Sequence, residues 1–582
     1  MRDVALLTVE RDVPSRMRDG TVLYADVYRP AAPGRYPVIL LRTPYNKSFG
    51  RIAYLQLDPM RAASQGYALV IQDTRGRFHS EGEFYCFRHE RDDGYDTVEW
   101  AAQQPWSDGN VGMYGASYMG ATQWLAAIAR PPHLKCIVPL ITASDYHEGW
   151  TYQGGAFELG FNMSWTLTNL VLANLAHFQL PTDQGSELRG ELIRATDCMC
   201  TPFAHLPLRE YPLLAAHNLA PYYGDWLAHP DDDDYWRQWN IEDRHDQITV
   251  PALNVGGWYD IFLGGTLRNY LGMRQHGGSP TARQQKLIIG PWFHTSMWPN
   301  IVGEVDFGVM AQGLAIDLEG IMLRWFDHWL KGLDTGLLRE PPVKLFVMGE
   351  NIWRDEQEWP LARSQPTRYY FHSVGHANTL HGDGRLSPEP PGREPADYFL
   401  YDPRHPVPTR GGGLCCWQAA VPGGAYDQRE VEERPDVLVY STPPLAQDVE
   451  VTGPILVKLW AASSAPDTDF TAKFVDVEPS GYARNLTDGI IRARYRASTA
   501  KATLIEPGRV YEYTIDLWAT SNLFKVGHRI RVEISSSNFP RFDRNPNTGH
   551  PFAQDAELRP AMQTILHDAQ HPSHIVLPLI PR

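Results

Sequence analysis

The sequence predicts an α/β chain: a largely parallel sheet, split by a helical insertion and followed by an all-β region. Three observations carry this. Across residues 1–144, short apolar runs alternate with helix-like stretches, as strands buried on both faces of a parallel sheet require. From about 145 to 240 the β signal stops, and it resumes at about 241. From about 350, short β-branched and aromatic runs, separated by Gly, Pro, Asp and Asn clusters, replace the alternation. At 582 residues the chain exceeds what one core can hold, and its length suggests about three or four domains.

The elements follow in order. Residues 22–28, 37–41 and 68–71 read as strands, 93–103 as a helix, 110–114 as a short buried strand, 121–129 as a helix and 136–141 as a further strand. This gives a first sheet segment over 1–144. Residues 145–240, with a helix at 187–196, interrupt the sheet and read as a cap over its edge. The second sheet segment, 241–350, holds the apolar run 250–253 continuing to 260, the strand 286–290 and a helix at 316–331. That helix carries Leu318, Met322, Trp325, Phe326 and Trp329 on one stripe. Residues 351–582 contain strand-like runs at 369–371, 436–440, 455–460 and 529–534, which suggests a β-sandwich or jelly roll. The Pro/Gly-rich stretch 388–393 reads as a surface loop.

Ser117 lies in Gly115-Ala116-Ser117-Tyr118-Met119-Gly120, between the strand at 110–114 and the helix at 121–129. A serine on such a turn is strained and lifts its hydroxyl above the sheet, as a nucleophile needs. The pattern departs from strict G-x-S-x-G, because Met119 holds the second glycine's place and Gly120 follows. Alone it is a weak signal, since many small-residue turns carry a serine. Two partners strengthen it. Asp260 ends the run at 250–260, and His294 ends the next, in Gly290-Pro291-Trp292-Phe293-His294. Taken singly, Asp260 reads as a helix cap and His294 as a packed loop histidine. Nucleophile, acid and histidine in that order, each at a strand end, is the order of an α/β-hydrolase site.

At this point the chain resembles a known family. It is similar to the cocaine-esterase-type branch of the serine α/β-hydrolases, related to X-prolyl dipeptidyl peptidases and α-amino-acid ester hydrolases. The resemblance rests on residues 42–47, 72–77, 80–84, the Ser117 turn, 257–260, 290–294, 526–532 and 535–540, in joint order across almost the whole chain. In that family the glycine also stands at the third place past the serine. The resemblance implies an α/β-hydrolase sheet with an inserted helical cap and a C-terminal β-sandwich (jelly-roll) domain. It implies a triad of Ser117, Asp260 and His294, and an oxyanion hole made by the Tyr45 hydroxyl and the Tyr118 N–H. It aligns Trp150, Trp165 and Phe262 with the acyl pocket, and residues 411–415, with Leu414, with a loop leaning into it. Phe157 adds aromatic surface in the cap. The family often forms dimers, so a homodimer is the assembly it implies.

Composition fits such an enzyme. A net charge of −15 and a pI of about 5.8 argue against nucleic-acid or anionic-membrane partners. No apolar run is long enough to span a bilayer, and residues 1–10 lack a signal-peptide core, so the expected location is cytoplasmic. Six cysteines, Cys86, Cys136, Cys198, Cys200, Cys415 and Cys416, fit a reducing compartment. Cys198 with Cys200, and the vicinal Cys415 and Cys416, could bind a soft metal, but no histidine motif completes either, so no metal is expected. No P-loop, H-E-x-x-H or dinucleotide fingerprint is present, and the chemistry needs no cofactor. The acidic run Asp231 to Asp234 reads as a helix start rather than a calcium loop.

Three functions compete. The first is a serine esterase acting on small esters with apolar or aromatic acyl groups. The second is an amide-cleaving relative: an X-Pro dipeptidyl peptidase, an α-amino-acid ester hydrolase or a β-lactam acylase. The third is an inert hydrolase fold carrying a glycan-binding β domain. The resemblance implies that α-amino-acid ester hydrolases place acids two and three residues past the triad aspartate. Here Phe262 and Leu263 stand there, which favours the esterase, although Glu158 in the cap could still receive an ammonium.

Overall fold

The computed structural model describes residues 7–49, 56–215, 218–295 and 298–581. Residues 1–6, the start of the segment read above for a leader, lie outside the described residues. The first sheet holds ten strands: β1 (Leu7–Arg16), β2 (Val22–Pro30), β3 (Tyr36–Thr43), β4 (Ala68–Asp73), β5 (Ser107–Ala116), β6 (Leu134–Leu140), β7 (Leu253–Tyr259), β8 (Lys286–Phe293), β9 (Val343–Val347) and β10 (Ile352–Glu356). Their spatial order is β1-β2-β4-β3-β5-β6-β7-β8-β9-β10. From β4 to β9 the strands run parallel, and β1, β2 and β10 pair antiparallel at the two edges.

The apolar runs have the predicted cause. β4 and β7 are buried at every position, because helices cover both faces. Successive side chains point to opposite faces. Val38, Leu40 and Val70 pack with helices α1 (Glu90–Ala102) and α2 (Tyr118–Ala129), whereas Ile39, Leu41 and Ile71 pack with Met322, Trp325 and Phe326 of a helix over Leu318–Lys331. That last helix begins at Asp317, whose carboxylate accepts from the Gly320 N–H, and ends at Gly332 in the left-handed conformation. It lies close to the sheet: a Cβ on Gly112 would stand 2.8 Å from the Phe326 ring.

β1 carries no strand signal in the sequence, because as an edge strand it leaves most of its side chains half-buried or exposed and so has no apolar run. The first sheet also continues past residue 350, through β10. The insertion between β6 and β7 is mainly helical, with α3 (Leu159–Trp165), α4 (Thr182–Asp197) and α5 (Pro221–Ala228). A two-residue hairpin, Tyr152–Gln153 against Ala156–Phe157, adds β structure that the sequence did not signal. The acidic run does start a short helix, Asp234–Arg237, where Asp233 accepts from the Tyr235 N–H at 2.9 Å. Beyond the insertion, α6 (Leu263–His276) follows β7, and Leu318–Lys331 is α7.

The C-terminal region is all β, an eleven-stranded sheet. Its spine is the strand Val449–Ser463. This pairs with Tyr511–Phe524 along one edge, and with His574–Ile580 and then Ala561–Leu566 along the other. The region meets the insertion through buried charges. Arg492 pairs with Asp469 and Asp543, each at 2.8 Å, and Asp543 accepts the Phe157 N–H at 2.8 Å. Among the described residues, no helix is long and apolar enough to cross a membrane.

Candidate active site

Ser117, Asp260 and His294 each stand one residue past a parallel strand: β5, β7 and β8. The register of neighbouring strands thus brings residues 34 to 177 positions apart in sequence into contact. His294 Nδ1 is 2.6 Å from Asp260 Oδ1, and His294 Nε2 is 3.0 Å from Ser117 Oγ. The other carboxylate oxygen of Asp260 accepts the Phe262 N–H at 3.1 Å, which fixes the carboxylate plane. Asp260 is fully buried, and the His294 side chain is 9 % exposed.

The serine turn explains its own glycines. Ser117 has φ +62° and ψ −126°, a strained conformation for a residue with a Cβ. The turn is held by the Ser117 N–H donating to Leu140 O at 2.9 Å, and by the Thr142 hydroxyl donating to Ser117 O at 2.9 Å. A Cβ on Gly115 would come within 2.6 Å of Met119 Cβ, and one on Gly120 within 2.7 Å of Thr142 Cβ. The second glycine is therefore needed three residues past the serine, where α2 crosses the strand end of β6. The departure from strict G-x-S-x-G is steric.

Above Ser117, the Tyr45 hydroxyl accepts the Trp165 indole N–H at 2.9 Å and also reaches the Ser117 side chain. Burial pushes its pKa up, so it remains a neutral O–H donor. The Tyr118 N–H opens α2, and the first N–H groups of a helix have no partner within it. The Tyr118 ring stacks on Phe87, with centroids 5.2 Å apart. Its hydroxyl donates to Glu90 at 3.0 Å, and Glu90 is paired with buried Arg42 at 2.6 Å. These contacts pin the start of α2.

One residue emerges that the sequence reading quoted but gave no role. Arg77 is buried and donates to Pro44 O at 2.7 Å, Leu170 O at 2.6 Å and Asn169 O at 2.9 Å. It ties the loop that carries Tyr45 to the helical segment following α3. That segment, Thr166–Val171, is a widened π turn, a form that recurs at functional sites. The signal available in the sequence was only the Thr74-Arg75-Gly76-Arg77 turn. The partners of Arg77 are backbone carbonyls, which no motif encodes.

A cavity of about 880 Å³ opens beside Ser117 and His294. Tyr45, Phe78, Met119, Ile141, Trp165 and Phe293 supply much of its wall. Of the four residues expected to line an acyl pocket, Trp165 is on this wall. Trp150, Phe262 and Leu414 are fully buried behind it. Trp150 stacks on Phe262 at 4.3 Å between centroids, and Phe262 meets the His294 ring edge-on at 5.1 Å. They back the wall and the histidine because the cap packs directly onto α6. Among the described residues lining the cavity there is no Asp, Glu, Lys or Arg. Glu158, the acid considered above for an ammonium, is not on its wall. It is buried 3.8 Å from Arg541, which also pairs with Asp488 at 2.5 Å and donates to Gln153 at 3.1 Å. Burial pushes Glu158 up to about 8.

The cysteines depart from the reducing-compartment reading at one pair. Cys415 and Cys416 are joined by a disulfide, while Cys86, Cys136, Cys198 and Cys200 are free. The histidine that no motif supplied comes from the fold: a His294 ring nitrogen and the two sulfurs lie within 4.8 Å of one another.

A parallel sheet with helices on both faces, a serine turn after β5 and a helical insertion after β6 make this an α/β-hydrolase, followed by an all-β domain. Residues 19–296 match the X-Pro dipeptidyl-peptidase (S15) family, and residues 335–576 match the X-Pro dipeptidyl-peptidase C-terminal non-catalytic domain. The chain is 41% identical to cocaine esterase of Rhodococcus sp. (strain MB1 Bresler), over 99% of each chain. It is 28% identical to a putative serine esterase of Mycobacterium bovis, over 90% of each. Among solved structures it superposes on an aminopeptidase from a marine sediment archaeon of the Thaumarchaeota, with TM-score 0.82 and 26% identity, covering 100% of this chain and 97% of that one. It also superposes on an α-amino acid ester hydrolase, with TM-score 0.79 and 25% identity, covering 98% and 96%. The chain belongs to the cocaine-esterase-type branch of the serine α/β-hydrolases, and it is a hydrolase.

Proposed function

We propose that the protein is a serine esterase that cleaves small, uncharged carboxylic esters with apolar or aromatic acyl groups through a Ser117 acyl-enzyme. The observation that carries this is the chain of contacts from Ser117 Oγ through His294 to Asp260, at 3.0 and 2.6 Å. A carboxylate can only accept, so His294 Nδ1 carries a proton and Nε2 presents its lone pair to the serine O–H. Ser117 attacks the ester carbonyl as Nε2 takes its proton. The Tyr45 hydroxyl and the Tyr118 N–H bind the developing oxyanion. The imidazolium then gives its proton to the leaving alcohol, and water repeats the sequence to release the acid.

The substrate class follows from the wall. A cavity of about 880 Å³ with no Asp, Glu, Lys or Arg among its described lining favours neutral groups. The relative from Rhodococcus is named for an ester substrate, which points to the same bond. The amide-cleaving reading is second, and the aminopeptidase neighbour motivates it. Against it stand Phe262 and Leu263, buried and apolar just past Asp260, and the engagement of Glu158 by Arg541. An ammonium at the acyl α-position would meet no carboxylate.

The test compares p-nitrophenyl esters of aromatic acids with aminoacyl p-nitrophenyl esters and p-nitroanilides. We expect charge at the α-position to cost at least about tenfold in kcat/KM. Ser117→Ala should lower ester turnover at least about a thousandfold while leaving the fold intact. An organophosphonate should label Ser117. Equal rates on aminoacyl substrates, or labelling of another serine, would overturn the proposal.

A further inference from the structure

Beside the catalytic groups lies the Cys415–Cys416 disulfide. Cys415 and Cys416 close the Gly-rich stretch Gly411-Gly412-Gly413-Leu414 that enters from the all-β region. Cys415 is fully buried, while Cys416 is half-buried and lies on the cavity wall with Ser117 and His294. Neither sulfur has a part in the acyl transfer derived above. Yet both stand within 4.8 Å of a ring nitrogen of His294. Two cysteines and one histidine form a ligand set that zinc accepts with its fourth position open. The ligand atoms of a tetrahedral zinc stand about 3.5–4 Å apart, so the two sulfurs have to turn apart once the S–S bond opens, while the His294 nitrogen is already within 4.8 Å of both.

We propose that Cys415, Cys416 and His294 form a redox-gated site for a thiophilic divalent cation such as Zn²⁺, and that filling it switches the hydrolase off. The gate balances as follows. A phosphine or thiol reductant reaches Cys416 through the cavity and supplies two electrons. With a phosphine and one water, the S–S bond breaks, two thiols form and the phosphine leaves as its oxide. The cation then displaces two thiol protons and takes two thiolates, a His294 nitrogen and a cavity water. Either ring nitrogen stops turnover. Binding at Nε2 removes the lone pair that accepts the Ser117 proton, and binding at Nδ1 displaces Asp260. In the oxidised chain the sulfurs hold no protons to exchange, and the site is closed.

The inhibitory half rests on the proposed role of His294; the binding half does not, and the experiment separates them. The exposed Cys198 and Cys200, whose sulfurs lie 3.0 Å apart, offer a competing soft site, so the full chain is used with Cys198→Ser and Cys200→Ser. The protein is reduced with tris(2-carboxyethyl)phosphine, desalted without oxygen and titrated with Zn²⁺ against a chromophoric chelator. We expect about one Zn²⁺ per reduced chain, bound at least about a hundredfold more tightly than by the oxidised chain. Co²⁺ in its place should show a thiolate charge-transfer band. Cys415→Ser, Cys416→Ser and His294→Asn should each weaken Zn²⁺ binding at least about tenfold. Without any substitution at the site, Zn²⁺ should protect Cys415 and Cys416 of the reduced chain from iodoacetamide, as read by peptide mass spectrometry.

Ester turnover of the reduced chain should fall with Zn²⁺ occupancy and return with EDTA, and the Cys415→Ser and Cys416→Ser chains, each compared with its own metal-free rate, should be less sensitive to Zn²⁺. Binding without loss of turnover would overturn the switch. Equal zinc binding by oxidised and reduced chains, alkylation unaffected by zinc, or a disulfide that resists the phosphine in the folded chain would overturn the site. A chain with no ester turnover before zinc is added would instead overturn the proposed function, and the chelator titration would still read the site.

Discussion

The two sides of the cavity are built on different physics. On one side, Ser117, Asp260 and His294 project from the ends of three parallel strands, and their spacing is set by backbone ladders and steric fit at Gly115 and Gly120. On the other, the cap and the Gly411–Cys416 loop are held by buried charges, among them Arg541 with Asp488 and Glu158, and Arg492 with Asp469 and Asp543. The first side is local in origin, each of the three side chains adjoining its own strand. The second joins residues nearly 400 positions apart, as in the Arg541–Gln153 contact. The difference teaches where each kind of damage should appear: in turnover on the strand-end side, in stability on the charged side.

The largest effect expected is on the strand-end side. Asp260→Asn keeps the shape but allows the wrong imidazole tautomer, and kcat should fall about ten-thousandfold with an unchanged melting temperature. A loss below tenfold would mean that Asp260 is a structural cap.

On the charged side, Arg541→Met should cost about 3–5 kcal/mol of stability, because Asp488 is left buried without its cation. Chemical denaturation measures this. A variant of normal stability that loses turnover would reverse the contrast between the two sides.

Tyr45→Phe tests a group that belongs to both. Loss of the hydroxyl should lower kcat roughly a hundredfold with little change in KM. It also leaves the Trp165 indole N–H unpaired, which should cost about 1–2 kcal/mol. A silent variant would leave the second oxyanion donor unidentified.

The smallest effect is on pH dependence. Burial raises Glu158 from 4.5 to about 8 and Glu148 from 4.5 to about 7. Between the unfolded and folded values, the folded chain holds protons that the unfolded chain has released. Their contribution is therefore fully present below about pH 4.5 and is lost as pH rises toward 8. Melting temperatures should decline over that window, and Glu158→Gln should make the decline shallower. An unchanged slope would show that Glu158 is ionised in the fold.

The elements were legible where one segment carries its own signal. The run at 68–71 became β4 and the stripe at 318–329 became α7, because burial on two faces or on one stripe imposes a local pattern. β1 was not legible, since an edge strand needs no apolar run. The serine turn was readable together with its displaced glycine, but the reason, a Cβ meeting Thr142, is a contact between α2 and the segment after β6. Of the residues expected at an acyl pocket, Trp165 lines the cavity, while Trp150, Phe262 and Leu414 stand buried behind its wall.

By itself the sequence determined the order of strands and helices, the strained serine and the acid and histidine at strand ends, since each follows from the side chains of a few consecutive residues. Only the tertiary structure decided which groups meet across hundreds of residues. It set Arg77 against the carbonyls of Asn169 and Leu170, buried Glu158 beside Arg541 and away from the cavity, and brought His294 to Cys415 and Cys416. The cysteines' adjacency was visible in the chain, but their third partner was not. Contacts of this kind arise from packing one region on another, and no local period or spacing encodes them.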